Sequence, residues 1–214
     1  KVLALNDDHY DAASGLNTDH ADSYLMAKLP ADGKYYVHLG DTRRHAGQAY
    51  AYRLRISRPQ PDFELRAIPS RLVLRSKKSA ALTVFAIRRD GFDGPITLGF
   101  KNLPKGIESP GATLAAKKET ARLTLKSSLT ETKKPVKATV VGRAKVGDRE
   151  IVHEAVPAED TMQAFLWRHL LPAEDLPVVV YNPGYKPPDD RLRPPIRDED
   201  RPKEANRDLR KNQV

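Results

Sequence analysis

Val136-Lys137-Ala138-Thr139-Val140-Val141-Gly142-Arg143-Ala144-Lys145-Val146 is the stretch that decides the fold class of this chain. Val136, Ala138, Val140, Ala144 and Val146 alternate with Lys137, Thr139, Arg143 and Lys145. A period of two puts one set on each side of an extended backbone, which gives a strand with one apolar and one charged face. Val146-Gly147-Asp148 closes the run with a turn signal.

The same pattern recurs on both sides of it. Ile96, Leu98 and Phe100 alternate with Thr97, Gly99 and Lys101, and Ala121, Leu123 and Leu125 with Arg122, Thr124 and Lys126. Further towards the start, Tyr50, Tyr52, Leu54 and Ile56 alternate with Ala51, Arg53, Arg55 and Ser57. Ala31-Asp32-Gly33, Asp90-Gly91, Asp93-Gly94-Pro95 and Pro104-Lys105-Gly106 supply turns between such runs. Short strands spaced by turns predict an all-β protein built of antiparallel β-sandwiches. One segment fits two periods. Met162, Phe165, Leu166, His169 and Leu170 suit a short helix capped by Asp160 or Thr161, and the same residues also alternate as a strand. The helix is the expectation taken forward. Pro177 to Tyr181 reads as the last strand.

Composition narrows the function. The chain has 214 residues, 39% of them hydrophobic, enough to build a core. It contains no run of the roughly 18 to 20 apolar residues that a membrane-spanning helix needs. There is no cysteine, which excludes disulfides, thiolate catalysis and every zinc site that uses sulfur. The net charge is +9, and residues 62–156 carry 19 basic against 10 acidic groups. Arg58-Pro59-Gln60-Pro61 forms a stiff linker between two packed regions, residues 1–57 and 62–181. Residues 182–214 hold Pro183, Pro187, Pro188, Pro194, Pro195 and Pro202 among many charges, and are expected to be a disordered or extended tail.

Asn6-Asp7-Asp8, Ala21-Asp22-Ser23-Tyr24-Leu25, Leu29 to Val37 and Tyr52-Arg53-Leu54-Arg55-Ile56 occur in an order that resembles the later part of a bacterial pre-peptidase C-terminal domain. That family is a β-sandwich appended to secreted proteases and other exported proteins. The resemblance implies that residues 1–57 form an incomplete sandwich, cut from a longer protein, with apolar surface and strand edges left exposed. Residues 62–181 resemble the immunoglobulin-like sandwiches that often follow such domains. The resemblance is carried by Ile96-Thr97-Leu98, Leu103-Pro104-Lys105-Gly106-Ile107 and the strand from Ala121 to Leu125. They depart from antibody domains in lacking the cysteine pair, and Trp167 lies near the far end. Together these likenesses imply a non-catalytic accessory or binding module of a secreted, periplasmic or cell-surface protein. Its partners would be domains of the same parent polypeptide, and beyond them an extracellular protein or polysaccharide.

The chemistry in the sequence is sparse. Asp7, Asp8, Asp11, Asp19 and Asp22 cluster with Asn6 and Asn17, and a loop rich in carboxylates can gather oxygen ligands for calcium. A calcium-dependent adhesion module for collagen-like protein or cell-surface polysaccharide is therefore the alternative function. Counted from Asp11, Asp22 falls at the twelfth position of an EF-hand, but Ala13, Gly15 and Leu16 do not suit its other positions. A solvated loop with turn-forming aspartates is the commoner use of such a stretch. A His9/His20 metal pair with those aspartates is a further candidate, against the commoner reading of exposed loop histidines. No Gly-x-Ser-x-Gly elbow, phosphate-binding glycine loop or dinucleotide fingerprint is present, so no enzyme is expected. Lys77-Lys78, Arg88-Arg89, Lys117-Lys118 and Lys133-Lys134 are dibasic pairs at loops and strand ends. Without stacking aromatics among them they read as solvated sandwich faces, and no nucleic-acid partner is expected. Phe63, Phe85 and Phe100 are all assigned to the core.

Overall fold

A computed structural model describes residues 1–163, 166–184 and 186. The chain divides into Lys1–Tyr181 and Asn182–Val214, and most of the expected tail lies outside the described residues. The fold is all-β. Fourteen strands are found among the described residues, and no helix there is long and apolar enough to cross a membrane.

Residues 62–181 form two facing sheets. The first runs β13 (Arg168–Pro172), β12 (Val156–Met162), β3 (Asp62–Ile68), β5 (Ser79–Arg89), β9 (Thr120–Ser127) and β7 (Ile107–Glu108). The second runs β4 (Leu72–Arg75), β14 (Leu176–Tyr181), β10 (Val136–Val146), β6 (Ile96–Lys101) and β8 (Ala112–Leu114), with β11 (Arg149–Glu154) beside the end of β10. Most pairings are antiparallel, but β12 runs parallel to β3 and β14 parallel to β4.

Most strands of the two sheets contribute their apolar parity to one core. Phe63 and Leu65 of β3, Leu82 and Val84 of β5, and Leu123 and Leu125 of β9 meet Leu72 and Leu74 of β4, Ile96 and Leu98 of β6, Val140 of β10, and Val178 and Val180 of β14. Gly142 continues the inward parity of β10 at a point with no room for a side chain. A Cβ there would lie 2.5 Å from Leu65 Cδ1 and 3.0 Å from Ile96 Cγ2. The β10–β11 hairpin pairs Val146 with Arg149 around Gly147-Asp148, and Gly147 takes the φ of +60° that the first position of a II′ turn requires.

Three expectations are corrected. Among the described residues, the stretch expected as a helix from Met162 to Leu170 is mostly strand: Asp160–Met162 end β12 and Arg168–Leu170 begin β13, paired in register from Ala158↔Pro172 to Met162↔Arg168, while Phe165 lies outside the described residues. The neighbouring β3 offers β12 a ladder partner through Val156↔Arg66, and a helix would leave that edge unpaired. Phe85 is only half-buried, since its partner Arg66 lies on the outer parity of β3; Phe63 is core and Phe100 packs at its margin.

The third correction concerns Tyr50 to Ile56. Among the described residues, the only strands before residue 62 are β1 (His9–Tyr10) and β2 (Asp19–His20), paired antiparallel. The alternating run has no ladder, and both of its parities are exposed, Tyr52 at 76% and Ile56 at 74%. Alternation creates two faces, but a strand persists only when a neighbour takes its backbone hydrogen bonds.

Candidate functional site

The acidic loop is shaped by its backbone more than by its carboxylates. Asn6 ties it closed, donating from Nδ2 to the Asp8 carbonyl and accepting the Tyr24 N–H at Oδ1, both at 3.0 Å. Ser23 Oγ donates to the Asp7 carbonyl at 2.6 Å. His9 stacks on His20 with ring centroids 5.4 Å apart, directly opposite it in the β1–β2 pair. Asp22 lies between the two rings through its main chain. Its carbonyl accepts from His9 Nδ1 at 2.8 Å, and its N–H donates to His20 Nδ1 at 3.0 Å. The two hydrogen bonds select opposite tautomers: His9, donating from Nδ1, has Nε2 as an acceptor, and His20, accepting at Nδ1, carries its proton on Nε2.

Asp11 is the one aspartate of the five whose carboxylate is built into the fold. Its Oδ1 accepts the Ala13 N–H at 3.0 Å, and its Oδ2 accepts from Arg89 Nη1 at 2.9 Å. Burial alone would raise its pKa, but the Arg89 and Ala13 hydrogen bonds outweigh burial and hold the carboxyl below its ordinary value. Asp19 sits in β2 opposite Tyr10, and Asp7 and Asp22 act through main-chain groups. Among the described residues, no three His, Asp or Glu side chains converge as a metal-ligand group. The loop gathers the sequence-predicted residues Asp7, Asp8, Asp11, Asp19 and Asp22 in the chain without focusing their oxygens on one point.

What the loop and its surroundings do build is an attachment to the sandwich. Arg89, at the end of β5, bridges Asp11 and Glu64, with Nε 3.1 Å from Glu64 Oε1. Asp90 follows in the left-handed region at φ +48°, and Gly91 at +78°. Tyr24 donates its hydroxyl to Asp90 Oδ1 at 3.0 Å, and the Gln60 N–H donates to Asp90 Oδ2 at 2.9 Å. The Gln60 hydrogen bond, followed by that of Tyr24, holds the Asp90 carboxyl below its ordinary value, while burial and Asp90 together raise the Tyr24 phenol. Met26 lies against Gly91, its Cε 3.2 Å from where a Cβ would stand.

A second fastening covers the edge strand β13. The Leu16 N–H donates to the Arg168 carbonyl at 2.8 Å, and the Arg168 N–H donates to Asn17 Oδ1 at 2.9 Å. Asn17 Nδ2 also donates to the Leu166 carbonyl, so its side-chain amide stands in for a strand partner. His169 Nδ1 donates to the Ser14 carbonyl at 2.9 Å. The register puts Ile87, Ala158 and Leu170 on the side of their sheet that faces away from the core, yet all three are buried. The segment from Asp11 to Asn17, with Ala12 also buried, is bonded across this region.

The sequence reading missed Arg89, Asp90, Glu64, Asn17 and His169 as partners of the loop. Asp90-Gly91 was legible as a turn and Arg88-Arg89 as a basic pair, but neither arginine is a solvated charge. Arg88 donates to the carbonyls of Gly94 at 2.7 Å, Ala115 at 3.1 Å and Lys118 at 3.1 Å, and its guanidinium lies 5.3 Å from the Phe92 ring centroid. Lys77, Lys78, Lys117, Lys118, Lys133 and Lys134 are exposed.

Chemically, these arrangements hold and orient. His153 Nε2 and Asp62 Oδ1 are 2.7 Å apart, but among the described residues no hydroxyl hydrogen-bonds to this pair to serve as a nucleophile. In comparisons with known proteins, no family model and no curated sequence matches the chain.

Proposed function

We propose that this chain is a non-catalytic accessory module of a larger exported bacterial protein, one that attaches, spaces or targets a neighbouring domain such as a protease. The reading treats residues 1–57 as the later part of a pre-peptidase C-terminal-type sandwich and residues 62–181 as an immunoglobulin-like sandwich. One observation carries it: the exposure of large apolar residues between Tyr24 and Ile56, alternating from Tyr50 onward. Leu25, Met26, Leu29, Tyr36 and Val37 are all exposed there, as are Tyr50, Tyr52, Leu54 and Ile56. Apolar surface on this scale, in a segment with strand periodicity and no ladder, is suited to pairing with strands from a neighbouring domain. The sandwich that follows is a body packed around one core, fit to serve as a spacer.

Amide hydrogen exchange tests the reading. Residues 50–56 should exchange rapidly in this chain alone. In a longer polypeptide that includes its neighbouring domain, they should be protected by at least about a hundredfold, the scale of a formed sheet. Equal exchange in both contexts would remove the strand-completion reading. Hydrolysis of peptide substrates by the purified chain would remove the non-catalytic one.

A further inference from the structure

The N-terminal region is tied to the sandwich at several points, and two of the ties reach the same residue. Tyr24, early in the region, takes one oxygen of Asp90, and Gln60, in the linker, takes the other. Asp11 adds an ion pair to the adjacent Arg89, and Leu16 and Asn17 occupy the β13 edge. The linker is built for this arrangement. Pro59 and Pro61 have no N–H, so the Gln60 N–H is the only backbone donor of the Pro59-Gln60-Pro61 stretch, and it points at Asp90. At φ +48° the turn itself would accept glycine with less strain than any other residue. The carboxylate is therefore surplus to the turn, and its two oxygens serve residues outside it.

We propose that the Arg89-Asp90-Gly91 turn, with the β13 edge, is a joint that locks residues 1–61 onto the sandwich and makes the Arg58–Pro61 connection a fixed angle instead of a swivel. Two stiff prolines set the direction of the linker, and the Asp90 carboxylate fixes its rotation. A domain paired with the exposed apolar segment of residues 24–56 would then be held at one orientation to the sandwich. The joint rests on contacts within this chain and stands whether or not the accessory-module reading does.

The test uses the full chain carrying Asp90→Gly, which removes both acceptors while relaxing the turn backbone. Exchange of the Gln60 N–H should accelerate about tenfold or more, the scale of losing one hydrogen bond to a charged group. Small-angle scattering should show a wider spread of dimensions, and the amides of β5 and β9 should keep their wild-type protection. Tyr24→Phe leaves the turn untouched and should accelerate exchange around residues 22–26 by a smaller factor. Unchanged exchange at Gln60 in Asp90→Gly would overturn the joint. So would a matching loss of protection in β5, which would make Asp90 merely part of the sandwich. Should Asp90→Gly fail to fold, Tyr24→Phe decides alone: exchange at residues 22–26 equal to wild type overturns the proposal.

Discussion

Two runs of this chain share one pattern and meet different fates. Val136 to Val146 alternates apolar and polar residues and becomes β10, with β14, β6 and β11 beside it along its length. Tyr50 to Ile56 alternates just as regularly and forms no strand. The difference lies in neighbours, not in propensity, since tyrosine, leucine and isoleucine all suit strands. In the sandwich, alternation is converted into burial because a second sheet receives the apolar face, and Leu123 and Leu125 are wholly buried. In the N-terminal region the same apolar side chains remain in water.

The sharpest test of that contrast is to truncate matched leucines. Leu123→Ala should cost about 3 to 5 kcal/mol of stability by thermal or urea denaturation, because it opens a cavity in a packed core. Leu54→Ala should change stability by less than about 0.5 kcal/mol. Comparable losses would break the contrast by showing that the N-terminal region also has a core. Next in size, Gly142→Ala should destabilise by about 1 to 3 kcal/mol through overpacking against Leu65. Gly99→Ala, where a Cβ would meet no atom within 4 Å, should be nearly silent.

Acid should separate the two regions next. Asp11 and Asp90 both have carboxyls held below their ordinary value in the folded chain. A depressed carboxyl contributes stability that is complete above the unfolded value of about 3.9 and is lost as pH falls through the folded value. Exchange at Gln60 and Leu16 should therefore accelerate below about pH 4, while β5 and β9 stay protected. Exchange at these two amides that tracks only the intrinsic chemical rate down to pH 2 would count against the carboxylates. The smallest effect is expected from Lys137→Ala, which removes an exposed ion pair with Asp175 and should leave the melting temperature within error.

The sandwich was legible because its signals are local. Alternation, Gly147 and Asp90-Gly91 each act within a few residues, and β6, β9, β10 and β14 lie where the pattern places them. The β12–β13 hairpin was misread because Met162, Leu166 and Leu170 satisfy a helical and an extended period equally, and the deciding partner, β3, lies far away in sequence. The joint could not be read at all. Asp11 and Arg89 are 78 residues apart, and nothing beside either one names the other. The aspartate cluster shows the converse: closeness in sequence was plain, but turns and main-chain hydrogen bonds aim the side chains differently.

The parallel pairing of β4 with β14 also bears on how the sandwich would carry load. Once β3 is drawn out, a pull along the chain takes β4 by its N-terminal end and β14 by its C-terminal end. Because the two strands run the same way, these forces oppose each other along the strand axis. The four paired positions from Leu72↔Val178 to Arg75↔Tyr181 would then be sheared together instead of being peeled apart one at a time. Tension along the chain would thus meet stiff resistance at the β4–β14 pair.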